Sequence, residues 1–205
     1  MYTTRSGLIL GFHGCDESVA LDVVNQRTNL KESQNNYDWL GHGVYFWENS
    51  PDRALEFAHF LKDNPSKAKN PIKKPAVVGA VIDLGFCFDL LDYGMLQILG
   101  TGYNVFKSIW EKTGRELPIN KTVGDCNDLL LRDLDCVVFE TIHQIRKDSD
   151  EKSYDSVRGV FWEGDELYPN AGFREKDHIQ ICIRNSNCIK GYFLPRELNY
   201  HYPKV

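Results

Sequence analysis

The sequence has no hydrophobic run long enough to cross a membrane. Its longest apolar stretch, residues 76–88, is interrupted by Gly79, Asp83 and Gly85, whereas a membrane-spanning helix needs about 20 predominantly apolar residues. Only a short apolar segment precedes Gly11, which is too brief for the core of a signal peptide. We therefore expect a cytoplasmic protein that makes no use of a membrane.

Cysteine pairs of the kind that hold zinc are also missing. The six cysteines are scattered along the chain and include no Cys-x-x-Cys pair. Structural zinc sites usually use such pairs, and small secreted domains that depend on disulfides are richer in cysteine. We expect a reduced protein that binds no metal.

Basic residues are outnumbered by acidic ones. Lys and Arg total 24 against 29 Asp and Glu, which gives a net charge of −5. This balance argues against binding nucleic acid or an anionic membrane through overall charge. One local exception is residues 62–75, which contain five lysines, three prolines and one aspartate. This composition is typical of a solvated surface loop, and binding of a polyanion is the alternative.

The chain contains no repeat, low-complexity tract or Gly/Ser-rich linker, so we expect one domain over residues 1–205. Its hydrophobic pattern predicts strands near both ends and helices between them, including a helical insertion at about residues 91–145. This order indicates an α+β fold with mixed or antiparallel sheets. Strands are predicted over residues 7–12, 43–47, 76–84, 157–162, 178–184 and 190–194, and helices over 18–25, from Ser50–Pro51 onward, 91–113 and 125–145.

Three segments are candidates for chemistry. The first is His13, which follows the first predicted strand and precedes Gly14. A histidine there either satisfies local backbone groups or contacts a ligand, and the glycine lets a ligand approach the main chain closely.

The second segment is residues 39–50, where a Gly-x-Gly turn precedes Tyr45. Aromatic residues in strands are usually core, but Tyr45 can face a cleft and offer a flat ring and a hydroxyl group.

The third segment is the predicted strand at residues 178–184. Alternation puts His178, Gln180 and Cys182 on one face and three isoleucines on the other. The isoleucine face belongs to the core. The polar face therefore lines either solvent or a cleft.

Together these segments resemble a known family. Phe-His-Gly on the first strand, then Gly-His-Gly-Val-Tyr-Phe, a serine and a helix containing Ala54, is similar to the ADP-ribosyltransferase fold of the diphtheria-toxin and poly-ADP-ribose-polymerase branch. That branch is described by a His-Tyr-Glu triad on three separated strands. The resemblance is sharp around residues 11–16 and 41–58 and covers the remaining chain in the order of elements. It implies two small mixed or antiparallel sheets around an NAD cleft, with helices inserted between strands.

The resemblance also implies roles for individual residues. In the family, the histidine hydrogen-bonds the adenine-side ribose of NAD, the next glycine binds the nicotinamide amide through its backbone, and the tyrosine stacks on nicotinamide. These roles fall to His13, Gly14 and Tyr45. Gly43 and Ser50 are further NAD-binding candidates, and no metal is implied.

The sequence departs from the family at the triad glutamate. Counting along the chain places that position between His178 and Gln180, and Gln180 is favoured because it is closest in size to glutamate. A glutamine keeps a hydrogen bond to the ribose but lacks the charge that opposes an oxocarbenium-like state. Polymer elongation is therefore not expected. Glu163 and Glu166 lie in the loop region that recognises the acceptor in this fold. One of them, with Glu163 favoured, is the hypothesised acceptor base or substitute carboxylate, and two solvated surface acids are the alternative.

The leading expectation is an NAD-dependent mono-ADP-ribosyltransferase that modifies a protein or a nucleic acid. The sequence looks closest to small bacterial members of the family, some of which are toxins with an antitoxin or immunity partner or act in phage defence. One alternative is an inactive module that binds NAD or ADP-ribose. Another is a nucleic-acid-binding domain that uses residues 62–74. A Cys-His hydrolase built on Cys15 is the weakest reading, since no base is visible near it.

Overall fold

The computed structural model describes residues 7–124 and 127–203. Strands and helices alternate irregularly along the chain, with short 3₁₀ turns at Pro65–Lys67 and Ser186–Cys188. The elements are β1 Ile9–Asp16, α1 Glu17–Val24, β2 Val44–Glu48, α2 Pro51–Asp63, β3 Pro75–Ile82, β4 Cys87–Asp89, α3 Tyr93–Glu111, β5 Asn120–Lys121, β6 Leu131–Arg132, α4 Asp133–Asp148, β7 Ser156–Phe161, β8 His178–Ile183 and β9 Ile189–Phe193.

Seven strands form one mixed sheet in the order β4-β7-β8-β2-β1-β3-β9, and β5 pairs with β6 in a separate two-stranded ribbon. Within the large sheet only β4 and β7 run parallel. The α+β class expected from the sequence is confirmed. The two small sheets expected from the resemblance are not observed as such, because β1 and β2 join the two halves into one sheet.

Local sequence signals explain where the helices begin. The Asp16 carboxylate accepts a hydrogen bond from the backbone N–H of Ser18 and caps α1. Pro51 occupies the first position of α2, where its missing N–H does no harm. The Asp92 side chain accepts from Met95 N–H and caps α3.

The two faces of the sheet are covered differently. On one face α1 packs against a continuous apolar core that includes Phe46, Val78 and Ile181. On the other face, α2 covers the half formed by β1 and β3, while α3 and α4 cover the half formed by β7 and β8. The centre of that second face, over β2 and β8, lies between these two helical groups.

A buried ion cluster ties three strands of one half-sheet together. The Arg158 guanidinium on β7 donates to Glu48 on β2, with Nη2 3.0 Å from Oε1, and to Asp89 on β4, with Nη1 3.2 Å from each carboxylate oxygen. Burial alone would lower the pKa of Arg158, but the hydrogen bonds and charges of the two carboxylates raise it. The cation is therefore held fully charged in the interior.

The strand predicted over residues 76–84 as a central strand is confirmed as β3, which pairs with β1 on one side and with the edge strand β9 on the other. Other predicted elements differ from the observed ones. The helix predicted from residue 125 begins only at Asp133, and residues 125 and 126 lie outside the described part. The strands β4, β5 and β6 were not predicted. Within residues 7–124 and 127–203, no helix is long and apolar enough to cross a membrane.

Candidate functional site

Three of the residues singled out in the sequence, His13, Gly14 and Tyr45, meet where β1 and β2 separate. The ladder between these strands includes only the pairs Gly11 with Glu48 and Phe12 with Trp47. By contrast, β1 pairs with β3 over eight residues and β2 with β8 over four. We call the unpaired stretch, formed by residues 13–16 of β1 and 44–46 of β2, the seam.

His13 bridges the seam. Its Nδ1 lies 2.8 Å from the backbone oxygen of Tyr45. Because a carbonyl oxygen can only accept a hydrogen bond, Nδ1 carries the proton and Nε2 of the neutral ring presents a lone pair. Burial lowers the pKa of His13, and the hydrogen bond to Tyr45 opposes that shift only in part. The ring is therefore neutral at pH 7, and Nε2 is suited to accept a hydrogen bond from a hydroxyl group.

Gly14 turns its backbone into the seam. The N–H of Glu17 donates to the backbone oxygen of Lys74 at 2.8 Å. This bond shows which residues of β1 direct their backbone N–H and C=O groups towards β3. Odd-numbered residues turn their backbone groups towards β3, and even-numbered residues turn theirs towards β2. A Cβ at Gly14 would lie 2.0 Å from the backbone oxygen of Ala54 in α2. Only glycine fits at this place, and its N–H and C=O face the unpaired stretch.

Tyr45 is fixed by its hydroxyl group. That group donates to the backbone oxygen of Gly41 at 2.6 Å and accepts from the N–H of Leu40 at 2.8 Å. Burial raises the pKa of the phenol well above its ordinary value. The hydroxyl that the sequence offers to a ligand is therefore used internally. The ring stays partly exposed, so a stacking role remains with its flat face.

The strand register puts the His13 and Tyr45 side chains on opposite faces of the sheet. Phe12 pairs with Trp47, so these two share a face, and Tyr45 shares it because it lies two residues before Trp47. His13, one residue after Phe12, points the other way and contacts the ring of Phe46 edge-on at 6.0 Å. A ligand that contacts both rings must lie across the seam.

One of the two further NAD-binding candidates, Gly43, has a structural task. Both backbone groups of Gly43 bond to Ser33, at 2.7 and 3.1 Å, so Gly43 has no free backbone group for a ligand. A Cβ on Gly43 would lie 2.5 Å from the backbone oxygen of Ile183. Ser50 is the residue before α2, as predicted, but its hydroxyl makes no capping hydrogen bond.

Gln180 lies on the same face as Tyr45. It pairs with Trp47 on β2 and with Gly159 on β7, and the adjacent pair is Tyr45 with Cys182. The side chain of Gln180 is partly buried and makes no hydrogen bond to the described residues. The glycine beside it removes a neighbouring side chain. The amide of Gln180 is thus available on the Tyr45 side of the seam.

His178 lies on this face too, and its side chain is only 2% exposed. It packs among the rings of Trp39, Trp47 and Phe161, with centroids 5.7 to 6.3 Å away. Its Nδ1 lies 2.6 Å from the backbone oxygen of Lys176, so Nδ1 carries the proton. Burial lowers the pKa of His178, against the opposing effects of that hydrogen bond and the charge of Glu163.

Glu163 is close to His178 but is already paired. Its Oε2 lies 2.7 Å from Nη2 of Arg53 on α2 and 3.7 Å from Nδ1 of His178. Arg53 also bonds Glu56 at 2.7 Å, and Glu56 in turn bonds Lys176 at 2.9 Å. These ion pairs join α2 to the segment between β7 and β8. Glu163 is therefore not a freely solvated acid, and Arg53 compensates its charge.

Three buried polar atoms in this cluster lack a partner among the described residues: Nε1 of Trp47, Nε of Arg53 and Nε2 of His178. The first two are donors, and the third is an acceptor. A buried polar group without a partner costs about 1–3 kcal/mol. All three atoms are shielded from solvent, so a hydroxyl group or an amide reaches this set of donors and acceptor only when the cluster opens.

Sequence analysis identified His13, Gly14, Tyr45, Gln180 and Glu163 but missed the roles of Trp47 and Arg53. Trp47 could have been identified from the sequence. It lies two residues after Tyr45 in the same strand, so both side chains must share one face. No signal exists for Arg53, because its partner Glu163 is 110 residues away.

The basic segment at residues 62–74 is attached to the end of β1. Asp16 accepts hydrogen bonds from the backbone N–H groups of Lys73 and Lys74 at 2.7 and 2.9 Å. These bonds, together with that from Ser18, hold the pKa of Asp16 far below its ordinary value. The ammonium of Lys74 pairs with Glu17 at 2.6 Å. The segment therefore lies beside the seam, with one lysine neutralised.

Two cavities lie elsewhere in the molecule. One, of about 400 Å³, is lined among others by Glu140, His143, Tyr154 and Arg184, and the other, of about 250 Å³, lies between α3 and α4. Neither includes a residue of the seam. The candidate site is thus separate from these two cavities.

Within the described part of the chain, no group of three or more histidine, cysteine or acidic side chains is arranged to hold a metal ion. The five described cysteines are all buried. Comparison of this chain with models of protein families, with curated proteins and with solved structures finds no significant match.

Proposed function

We propose that this chain is an NAD-dependent mono-ADP-ribosyltransferase. One observation carries the proposal: at the seam, the hydrogen-bonded His13, the open backbone of Gly14 and the partly exposed ring of Tyr45 occur together. An extended dinucleotide lying across the seam meets all three. Nε2 of His13 accepts from a ribose hydroxyl, the backbone of Gly14 pairs with the carboxamide, and Tyr45 stacks on nicotinamide.

The reaction breaks the bond between nicotinamide and ribose. The bonding electrons leave with nicotinamide, and the positive charge develops on the ribose before the acceptor attacks and loses a proton. Catalysis of this kind depends on position and on charge stabilisation. The side-chain oxygen of Gln180 holds the ribose hydroxyl, and the acceptor proton is taken by Glu163 or by Nε2 of the neighbouring His178, whose Nδ1 lies 3.7 Å from the Glu163 carboxylate.

This arrangement has a built-in requirement. Arg53 neutralises Glu163 while their ion pair at 2.7 Å persists. Glu163 can oppose positive charge on the ribose only after it separates from Arg53. If the ion pair stays intact, the neutral His178 alone must take the acceptor proton. We expect slow transfer of a single ADP-ribose unit, since the glutamine carries no charge of its own.

The second candidate function is an inactive module that binds NAD or ADP-ribose. The observation in its favour is that no carboxylate occupies the Tyr45 face of β8, where the side chains are His178, Gln180 and Cys182. Such a module uses the same seam for binding. It differs from the transferase only in the absence of nicotinamide release.

The test is incubation of the purified protein with NAD labelled on the adenylate, alone, with a cell lysate and with total RNA. We expect label in protein or RNA together with released nicotinamide. Both should fall at least tenfold in His13→Ala, Tyr45→Ala and Gln180→Ala. Matched controls are His59→Ala and Gln97→Ala, whose side chains are exposed on α2 and α3.

The outcomes separate the candidates. NAD binding by calorimetry without nicotinamide release favours the inactive module. No NAD binding by the folded protein contradicts both. Binding of RNA that weakens steeply with salt and ignores NAD would instead assign the lysines of residues 62–74 to nucleic acid.

A further inference from the structure

The segment between β7 and β8 forms an ordered hairpin at residues 163–176. Backbone hydrogen bonds run across it from Lys176 to Glu163, from Glu175 to Asp165 and from Leu167 to Phe173, at 2.9 to 3.2 Å. The tip is closed by a turn in which Ala171 N–H donates to Tyr168 O. The tip therefore has a defined backbone conformation.

The base of the hairpin is attached to the body of the protein. Asp128, itself buried, accepts from the backbone N–H of Gly164 at 2.8 Å and from the Arg174 guanidinium at 2.9 Å. At the same end, Arg53 and Glu56 on α2 pair with Glu163 and Lys176. The hairpin is thus held on two sides, and little conformational entropy is lost when it meets a partner.

Large apolar side chains are concentrated on this hairpin and next to it. Leu167 is 57% exposed, Tyr168 59% and Phe173 65%, and Trp162, just before the hairpin, is 62% exposed. Leu167 and Phe173 face each other across the hairpin. Single exposed apolar residues are ordinary, but a cluster with aromatic members on a rigid element marks an interaction surface.

The charge around these side chains is negative. Asp165, Glu166 and Glu175 are exposed, and none forms an ion pair with the described residues. The two cations of the hairpin, Arg174 and Lys176, are paired with Asp128 and Glu56. A phosphate backbone would be repelled by such a surface, whereas a segment rich in lysine or arginine is attracted.

We propose that the hairpin docks a basic segment of a protein, whose large apolar side chains pack against Leu167, Tyr168 and Phe173. Assigning this protein as the acceptor of ADP-ribose rests on the proposed function; docking itself does not. Glu163 begins the hairpin and lies 3.7 Å from His178. A segment bound at the tip is therefore delivered next to the cluster that would take the acceptor proton.

The test is binding without NAD, followed by fluorescence anisotropy. The probe is a labelled synthetic peptide of about a dozen residues in which lysine and arginine alternate with leucine and phenylalanine. Two competitors are the same peptide with glutamate at every basic position and a single-stranded RNA of equal length. We expect the basic peptide to bind at least tenfold more tightly than either competitor.

Two hairpin variants test the two parts of the surface. The double variant Leu167→Ser, Phe173→Ser removes apolar contact, and the double variant Asp165→Lys, Glu175→Lys reverses charge. Each should weaken peptide binding about tenfold or more. The control double variant Tyr93→Ser, Ile109→Ser removes side chains 77% and 54% exposed on α3 and should have no effect. If the first variant fails to fold, Tyr168→Ser takes its place.

The result is independent of the proposed chemistry. His13→Ala should keep full peptide affinity even though it is expected to lose NAD. Equal binding by wild type and hairpin variants, or tighter binding of RNA than of the basic peptide, overturns the proposal.

Discussion

The strand β2 has two antiparallel neighbours, and they pair with it differently. On the β8 side four residue pairs form an uninterrupted ladder. On the β1 side only two pairs form, and beyond them His13 takes the carbonyl of Tyr45 that the strand ladder would otherwise use. A side chain that caps one backbone acceptor can therefore hold a sheet open and leave the opposite backbone, here that of Gly14, for a ligand.

The β8 side of β2, which we call the closed side, is also the side that a buried ion cluster stabilises. Arg158 connects β7 to β2 and β4 through Glu48 and Asp89. No equivalent buried ion pair among the described residues joins β1 to β2. The contrast predicts that substitutions on the closed side act on stability, while substitutions at the seam act on ligand binding.

The largest effect is expected for Arg158→Ala. It leaves the carboxylates of Glu48 and Asp89 without their shared cation, and breaking a buried ion pair in this way costs about 3–5 kcal/mol. The free energy of unfolding in urea measures it. Arg27→Ala, which removes an exposed pair with Asp22, should change stability by less than about 1 kcal/mol. Equal losses of stability in the two variants would contradict the expected difference between the buried and the exposed ion pairs.

The next effect is expected for Gly14→Ala. The new Cβ would meet the backbone oxygen of Ala54 at 2.0 Å, so α2 must shift away from β1 at a cost of about 1–3 kcal/mol. NAD affinity should fall as well, because the backbone of Gly14 moves. Gly100→Ala is the matched control on α3: a Cβ there meets no atom within 4 Å, and stability should rise by about 0.5–1 kcal/mol.

Much of this arrangement follows from local sequence signals, and the rest does not. The cap at Asp16, the helix start at Pro51 and the alternation around Gln180 each depend on neighbouring residues and could be predicted. The strand β4 and the β5–β6 ribbon could not, because strands of three and two residues carry no periodicity.

The seam itself depends on a contact between a side chain and a backbone atom 32 residues apart. No local sequence pattern predicts such a hydrogen bond. The sequence therefore identified His13 and Tyr45 as neighbours only through the family resemblance. The opposite faces of their side chains became visible only with the strand register.

A third prediction concerns His13 and acid. Because burial lowers the pKa of His13 below its ordinary value of 6.5, its contribution to stability is complete above pH 6.5 and is lost as the pH falls through the lowered pKa. Protonation also removes the Nε2 acceptor. NAD affinity should therefore fall about tenfold on acidification through that range, measured by calorimetry.

His13→Gln should weaken NAD binding at pH 7 and abolish most of this pH dependence. His59→Gln, on the exposed side of α2, should leave both properties unchanged. An unaltered pH profile in His13→Gln would show that another group titrates at the seam.

The smallest effect is expected for Tyr45→Phe, and it separates the ring from the hydroxyl. The change leaves the ring in place but removes the bonds to Gly41 O and from Leu40 N–H, so stability should fall by about 1 kcal/mol. NAD affinity should stay within about twofold, because stacking uses the ring face. Tyr168→Phe, whose ring is 59% exposed, controls for loss of a solvated hydroxyl. If Tyr45→Phe instead loses NAD as fully as Tyr45→Ala, the hydroxyl contacts the ligand and the turn at residues 40–41 must open on binding.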